Sequence, residues 1–206
     1  FAIPANLVAQ FVAQAAEGKE VFARPWAGAS GQPVDADMAE SLGMDRPGGI
    51  MISSLHSESP LLDAGISPGD VILAVDGQPV NTGSEMLFRM SVAGLGSTAE
   101  LNVLNGGKER LVSIALAAAP ETPARRSLTT GRRSAIPEMV LSTINPAVIA
   151  QYGLALTAEG VIVENPGPVG ARVGIRAGDI LLAVDGEGVS DSKSADRALR
   201  NLSGQV

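Results

Sequence analysis

Short apolar runs fenced by Gly and Pro set the pattern of the chain. Gly49–Leu55 and Val71–Val75 are rich in aliphatic and β-branched residues and are bounded in this way, so both are predicted strands. Asp76-Gly77 turns the chain directly after the second. Leu101–Leu104 and Leu111–Ile114 flank Asn105-Gly106-Gly107, which predicts a hairpin whose Asn-Gly supplies positive φ. At two places the spacing changes to that of a helix. Asp35–Leu42 has Asp35 placed to cap it and Gly43 to stop it, and Ser84–Val92 carries Met86, Leu87, Met90 and Ala93 three and four residues apart. The sum is an α+β unit, a small sheet closed by two helices.

That unit occurs twice. Ser67–Val80 returns as Arg176–Val189 at an offset of 109 residues, with Gly-Asp and Leu-Ala-Val-Asp-Gly kept in both. Trp26–Gly43 aligns with Ile136–Gly153 at an offset of 110, and Gly49–Ile52 with Gly160–Val163. The small drift in offset places the length changes in loops, where they cost little. The copies are expected over residues 21–119 and 134–206, joined by a solvated, Arg-rich flexible linker over 120–133. Only residues 179–206 follow Gly178, whereas the first copy needs the stretch from Gly69 to about residue 116 to finish its hairpin. The second copy is therefore expected to be C-terminally incomplete, with an open sheet edge.

Composition narrows the function. The net charge of -7 argues against nucleic acid or an anionic membrane as partner, because phosphate binding needs a clustered positive field. With six aromatic residues in 206, the cores must be aliphatic. Cysteine is absent, which removes thiol nucleophiles and thiolate metal sites. No apolar run approaches the roughly 20 residues of a membrane span. Asp70 and Asp179 recur after Gly with no second ligand beside them, so they read as turn residues, and neither a metal nor another cofactor is expected. His56 stands near Ser57, Ser59 and Asp63, but as a solvated loop residue rather than a member of a triad.

The signature Ala64-Gly-Ile-Ser-Pro-Gly-Asp-Val-Ile-Leu-Ala-Val-Asp-Gly77, with its second form Val173–Gly186, resembles the PDZ domains of the HtrA/Deg family of trypsin-like serine proteases. The resemblance covers nearly the whole chain from Val21 onward. Phe1–Pro4 and the amphipathic Asn6–Ala16 resemble the final strand and exit helix of the protease domain that precedes such domains, so residues 1–20 are assigned to that tail. Each copy is then expected to be a small, partly open β-barrel or sandwich capped by two helices. The resemblance implies a parent that is a periplasmic or cell-envelope quality-control protease and a homo-oligomer. This stretch itself should be non-catalytic, with a partner that is the extended or C-terminal segment of a client protein. A non-proteolytic scaffold or chaperone binding partner tails is the other reading.

Such domains add the peptide as a strand to a sheet edge and hold its terminal carboxylate on successive backbone N–H groups. The matching loop here is Trp26-Ala27-Gly28-Ala29, with Arg24 just before it and Ser30-Gly31-Gln32 as the pairing edge. Met86 and Met90 of the second helix are expected to complete the pocket, which with Ala27 and Ala29 should admit a bulky terminal side chain. In the second copy the loop is Ile136-Pro137-Glu138-Met139. Pro137 lacks a donor and Glu138 adds a repelling carboxylate, so capture should be weak there, and this copy is expected to serve assembly.

Overall fold

The computed structural model of the chain describes residues 5–16, 18 and 22–202. Phe1–Pro4, assigned above to a final strand, lie outside the described residues. The chain divides into two units, Phe1–Ala119 and Pro120–Val206.

The first unit runs α1 (Ala5–Ala16), β1 (Ala29–Pro33), α2 (Ala36–Ser41), β2 (Ile50–Leu55), α3 (Pro60–Asp63), β3 (Val71–Val75), β4 (Gln78–Pro79), α4 (Gly83–Ala93), β5 (Thr98–Asn105) and β6 (Lys108–Ala115). Its sheet is antiparallel in the order β1-β2-β3-β5-β6, with β4 beside β3, so β1 is an edge. Asp35 caps α2 through its carboxylate, which accepts the Met38 N–H at 2.9 Å. The hairpin turn sits one residue further on than expected: Asn105 pairs with Lys108, and Gly106 and Gly107, at φ 54° and 77°, make the turn. That shift frees the Asn105 side chain.

Ile52, Leu61, Ile66, Ile72, Leu101 and Val103 are fully buried between the sheet and its helices, and burial of each contributes about 2 kcal/mol. Asp70 sits at the rim of this core and is only 2 % exposed. Its carboxylate accepts the Ser67 N–H at 3.1 Å, the Asn105 side-chain amide and, at 3.5 Å, the Arg110 guanidinium. Arg110 also donates to the Gly65 carbonyl at 2.6 Å. One carboxylate thus fastens the start of β3 to the β5–β6 hairpin.

The second unit runs β7 (Leu128–Thr129), β8 (Val140–Thr143), α5 (Pro146–Tyr152), β9 (Val161–Asn165), α6 (Gly167–Arg172), β10 (Ile180–Leu181), β11 (Ala183–Val184), β12 (Glu187–Gly188) and α7 (Ser192–Leu202). Its main sheet has the order β10-β9-β8-β7, with β11 and β12 paired separately. The elements from β8 to α7 repeat β1 to α4 in order, with β10 and β11 together in the place of β3. Among the described residues nothing repeats β5 and β6; Ile180 is exposed where Val71 of β3 is buried, and Leu182 is exposed where Leu73 is half-buried.

The stretch 120–133, expected as a free tether, is folded into the second unit. Ala147 N–H donates to the Pro120 carbonyl at 3.1 Å and Thr143 N–H to the Arg125 carbonyl at 2.8 Å. Arg125 donates to Gln151 and Glu121 at 2.7 and 3.1 Å. Local composition reads as solvated, but unpaired backbone groups on α5 and β8 take up the segment as their partner. Of the four arginines, Arg132 and Arg133 stand at an exposed turn.

Candidate functional site

The first loop is built by packing beneath it. Trp26 is buried, and its ring lies so close to Gly28 that a Cβ added there would fall 2.8 Å from it and 3.1 Å from the Ser59 Cα. Gly28 also has φ 57°, a left-handed conformation that glycine adopts without a steric penalty. Two bonds hold the loop from behind. His56 N–H donates to the Gly28 carbonyl at 2.8 Å, and Ser59 Oγ to the Ala27 carbonyl at 2.6 Å. Both carbonyls point into the protein, so the N–H groups of the same two planar peptides, those of Gly28 and Ala29, face the other way. Among the described residues the Gly28 amide donates to no protein acceptor.

His56 is therefore not the solvated residue its sequence context suggests. It is half-buried, meets Trp26 edge-on with ring centres 5.4 Å apart, and accepts the Glu58 N–H on Nδ1 at 3.1 Å. Ser59 caps α3 and braces the loop with the same hydroxyl. The only signal for it was Ser-Pro at a helix start.

Beyond the loop, the chain continues into β1, whose outer edge is unpaired among the described residues. Ser30, Gly31 and Gln32 are exposed along it, and Ala29 is half-buried against the core. A bulge falls between Ser30 and Gly31, and a Cβ on Gly31 would meet the Ile50 side chain and the Met51 carbonyl at 2.8 Å. Helix α4 lies next to β1. Its Met86 and Met90, expected in the pocket, are 4 % and 0 % exposed and belong to the core. The same spacing also fits Leu87 and Phe88, and these are the exposed apolar residues of α4. They line a cavity of about 210 Å³ with Leu7, Phe11, Phe22, Arg24, Ser84 and Ser91. Arg24 is exposed, its guanidinium 5.9 Å from the centre of the Phe22 ring, and leads from this cavity into the loop.

The second loop keeps the backbone shape with different chemistry. Glu138 takes the place of Gly28 and adopts φ 63°, with its side chain in solvent. Ile136 and Pro137 are half-buried, and Met139 is buried in the second core. Its donors are engaged: Glu138 N–H bonds the Thr130 carbonyl at 3.0 Å and Met139 N–H bonds Thr130 Oγ1 at 2.9 Å. Helix α7, the counterpart of α4, is preceded by Asp191, whose carboxylate accepts the Ser194 N–H at 2.7 Å. That bond, partly opposed by desolvation, holds the Asp191 carboxyl below the ordinary aspartate range.

Among the described residues no cluster of His, Asp or Glu could hold a metal, and no helix is long and apolar enough to cross a membrane. Two family models match the chain, both described as PDZ domain, over residues 28–116 and 160–206. A relative from Halomonas elongata, named a probable periplasmic serine endoprotease DegP-like, is 32% identical over 203 residues, covering 98% of this chain and 42% of its own length. One of the same name from Rhizobium meliloti is 31% identical over 207 residues, covering 97% of this chain and 39% of its own. The chain thus spans about two fifths of these relatives. A solved structure titled as the HtrA-type protease AlgWS227A with decapeptide is similar at 27% identity and a TM-score of 0.49, over 60% of this chain and 38% of that one.

Proposed function

The chain belongs to the PDZ-domain family as a tandem PDZ region of the HtrA/Deg type, and from that premise we propose that its first unit captures the C-terminal end of an extended polypeptide. The observation that carries this is the pair of Gly28 and Ala29 amides, turned away from the core by the inward Ala27 and Gly28 carbonyls beside the unpaired edge of β1. A peptide laid antiparallel on β1 brings its last carboxylate to these two donors, and charge-assisted bonds of this kind are about twice as strong as neutral ones. Arg24 adds positive charge at the entrance to the loop. Leu87 and Phe88, with the cavity they line, offer apolar surface to side chains of the ligand. Ala27, 4 % exposed, packs in the core rather than in the groove, and the small half-buried Ala29 leaves the end of the groove open to a bulky terminal residue.

For the longer protein, the names of the relatives support a periplasmic serine endoprotease; delivery of unfolded or unassembled polypeptides to it by this region, and its assembly as a homo-oligomer, are our reading from the family resemblance alone. The test is calorimetric titration of residues 1–206 with one peptide as free acid and as C-terminal amide. The acid should bind at least about tenfold tighter, since amidation removes the charge the loop recognises. Equal affinities would refute carboxylate capture.

A further inference from the structure

We propose that the second unit holds a peptide site already filled by its own chain, with Leu128–Thr130 as the built-in ligand. The segment lies antiparallel on the edge of β8, Leu128 opposite Leu141 and Thr129 opposite Val140. Thr130 then makes the contacts of a terminal residue. Its N–H donates to the Met139 carbonyl at 2.8 Å, extending the ladder by one step into the loop. Its carbonyl oxygen takes the Glu138 N–H and its hydroxyl takes the Met139 N–H. Two oxygens of one residue thus meet two loop amides, which is the chemistry a peptide carboxylate would offer. The hydroxyl passes its own proton to the Ile136 carbonyl at 2.6 Å, so Thr130, 2 % exposed, is fully satisfied.

The rest of the segment is anchored as a ligand would be. Leu128 packs on the second core beside Met139, Leu141 and Leu199. Ser192, the first residue of α7, donates its hydroxyl to the Arg126 carbonyl at 2.7 Å, so the strand is gripped from the helix side as well. After Thr130 the chain leaves through the exposed Gly131-Arg132-Arg133 turn and re-enters as the loop itself, with Ala135 N–H bonded to the Leu199 carbonyl at 3.0 Å.

The first unit treats the chain entering its loop differently. There Gln14 of α1 bonds both the N–H and the carbonyl of Ala23, at 2.7 and 3.1 Å, and Phe11 stacks on Phe22 with ring centres 3.7 Å apart. Helix α1 ties that strand to itself, and the β1 edge is left for another chain. In the second unit the tether of the internal ligand is a few residues long, which corresponds to an effective concentration in the millimolar range. An external peptide must displace a competitor present at that level.

The proposal rests on the reading of the first groove as a peptide site, and both can be read in one titration by amide NMR. The probe is the free-acid peptide Arg-Ser-Leu-Thr-Thr, which copies residues 126–130. It is added to residues 1–206, to Leu128→Asp, and to a chain with about six Gly-Ser residues inserted between Gly131 and Arg132, which lengthens the tether without touching the core. In the unaltered chain the Glu138 and Met139 amides should exchange slowly and ignore the peptide; in both altered chains the peptide should shift them, with apparent affinity raised roughly threefold by the insertion, which about doubles the tether, and further by Leu128→Asp. Should Leu128→Asp unfold the unit, the insertion alone decides. The proposal falls if the unaltered chain binds at Glu138 and Met139 as tightly as the insertion chain, or if the insertion chain, with its second unit folded, binds nothing there. Shifts at Gly28 and Ala29 report the first groove separately, so either reading can fail while the other stands.

Discussion

The two units carry the same three devices and use each differently. The loop residue at φ 57° is Gly28 in one and at φ 63° is Glu138 in the other. The turn carboxylate is Asp70, buried under the β5–β6 hairpin, or Asp179, exposed and, among the described residues, bonded only to the Arg176 N–H at 2.9 Å. The groove helix is capped by the Thr82 hydroxyl or by the Asp191 carboxylate. Backbone shape is therefore conserved between the copies while the partners of that backbone are not. A loop with the right dihedrals is a binding site only when its donors have been left for the ligand.

The sharpest way to break this comparison is at Gly28. Gly28→Val forces a β-branched residue into the left-handed region and drives its Cβ into the Trp26 ring, so the loop must move. Peptide affinity of the first unit should fall about a hundredfold, roughly 2.7 kcal/mol. Trp26, the one tryptophan, reports whether the unit is still folded, and unchanged affinity in calorimetry would show that the loop amides are not the donors.

Next in size is the turn carboxylate. Asp70→Ala removes the carboxylate that ties the exposed Asn105 and Ser67 donors to the core rim and, as the loss of hydrogen bonds to a charged group, should cost the first unit about 2 kcal/mol in urea unfolding followed at Trp26. Arg110 is 41% exposed and adds little of its own. Asp179→Ala should change the second unit by less than about 0.5 kcal/mol, measured by amide exchange. Equal losses would mean that the hairpin does not make the difference.

How much of this could be read in the sequence follows from the range of each interaction. The duplicated signature fixed the fold, and Asp35, Gly28 and the paired glycines of the hairpin act locally, so their roles were legible, save for the one-residue shift at Asn105. Met86 and Met90 were not. Helical spacing marks an apolar face but not which of two faces the sheet covers, and α4 carries both Met86/Met90 and Leu87/Phe88. His56 was misjudged because what buries it is Trp26, thirty positions away. The segment 120–133 looked like a tether because β-pairing depends on the edge it meets, and its own residues are polar or turn-forming. Pro137 and Glu138 align with Ala27 and Gly28, yet the bonds that occupy the loop come from Thr130, whose side chain gave no sign of it.

A smaller effect with the opposite sign is expected at the second loop. Glu138→Gly relieves a left-handed backbone that costs a residue with a Cβ about 1 kcal/mol, and should stabilise the second unit by roughly that amount less the entropy glycine gains on unfolding. Amide exchange of the second unit measures it. Destabilisation would show that the Glu138 side chain holds the loop.

The finest distinction lies in the helix caps. The Thr82 hydroxyl accepts the Glu85 N–H at 3.1 Å and does not titrate, whereas the Asp191 carboxyl is lowered in the folded state, first by the Ser194 N–H. A depressed carboxyl contributes stability that is fully present above its unfolded value of about 3.9 and is lost as the pH falls through the folded value. Asn caps a helix about as well as Asp, so Asp191→Asn should alter the unit by only a few tenths of a kcal/mol at pH 7 while removing this contribution to its acid sensitivity. The measurement is the thermal midpoint of the second unit at pH 7 and pH 3, by NMR, in both chains. The variant should lose less on acidification than the unaltered chain. Ser192, next to the cap, grips the Arg126 carbonyl, so acid that loosens α7 should loosen the internal ligand with it, and the first unit, whose edge holds no such segment among the described residues, provides the control.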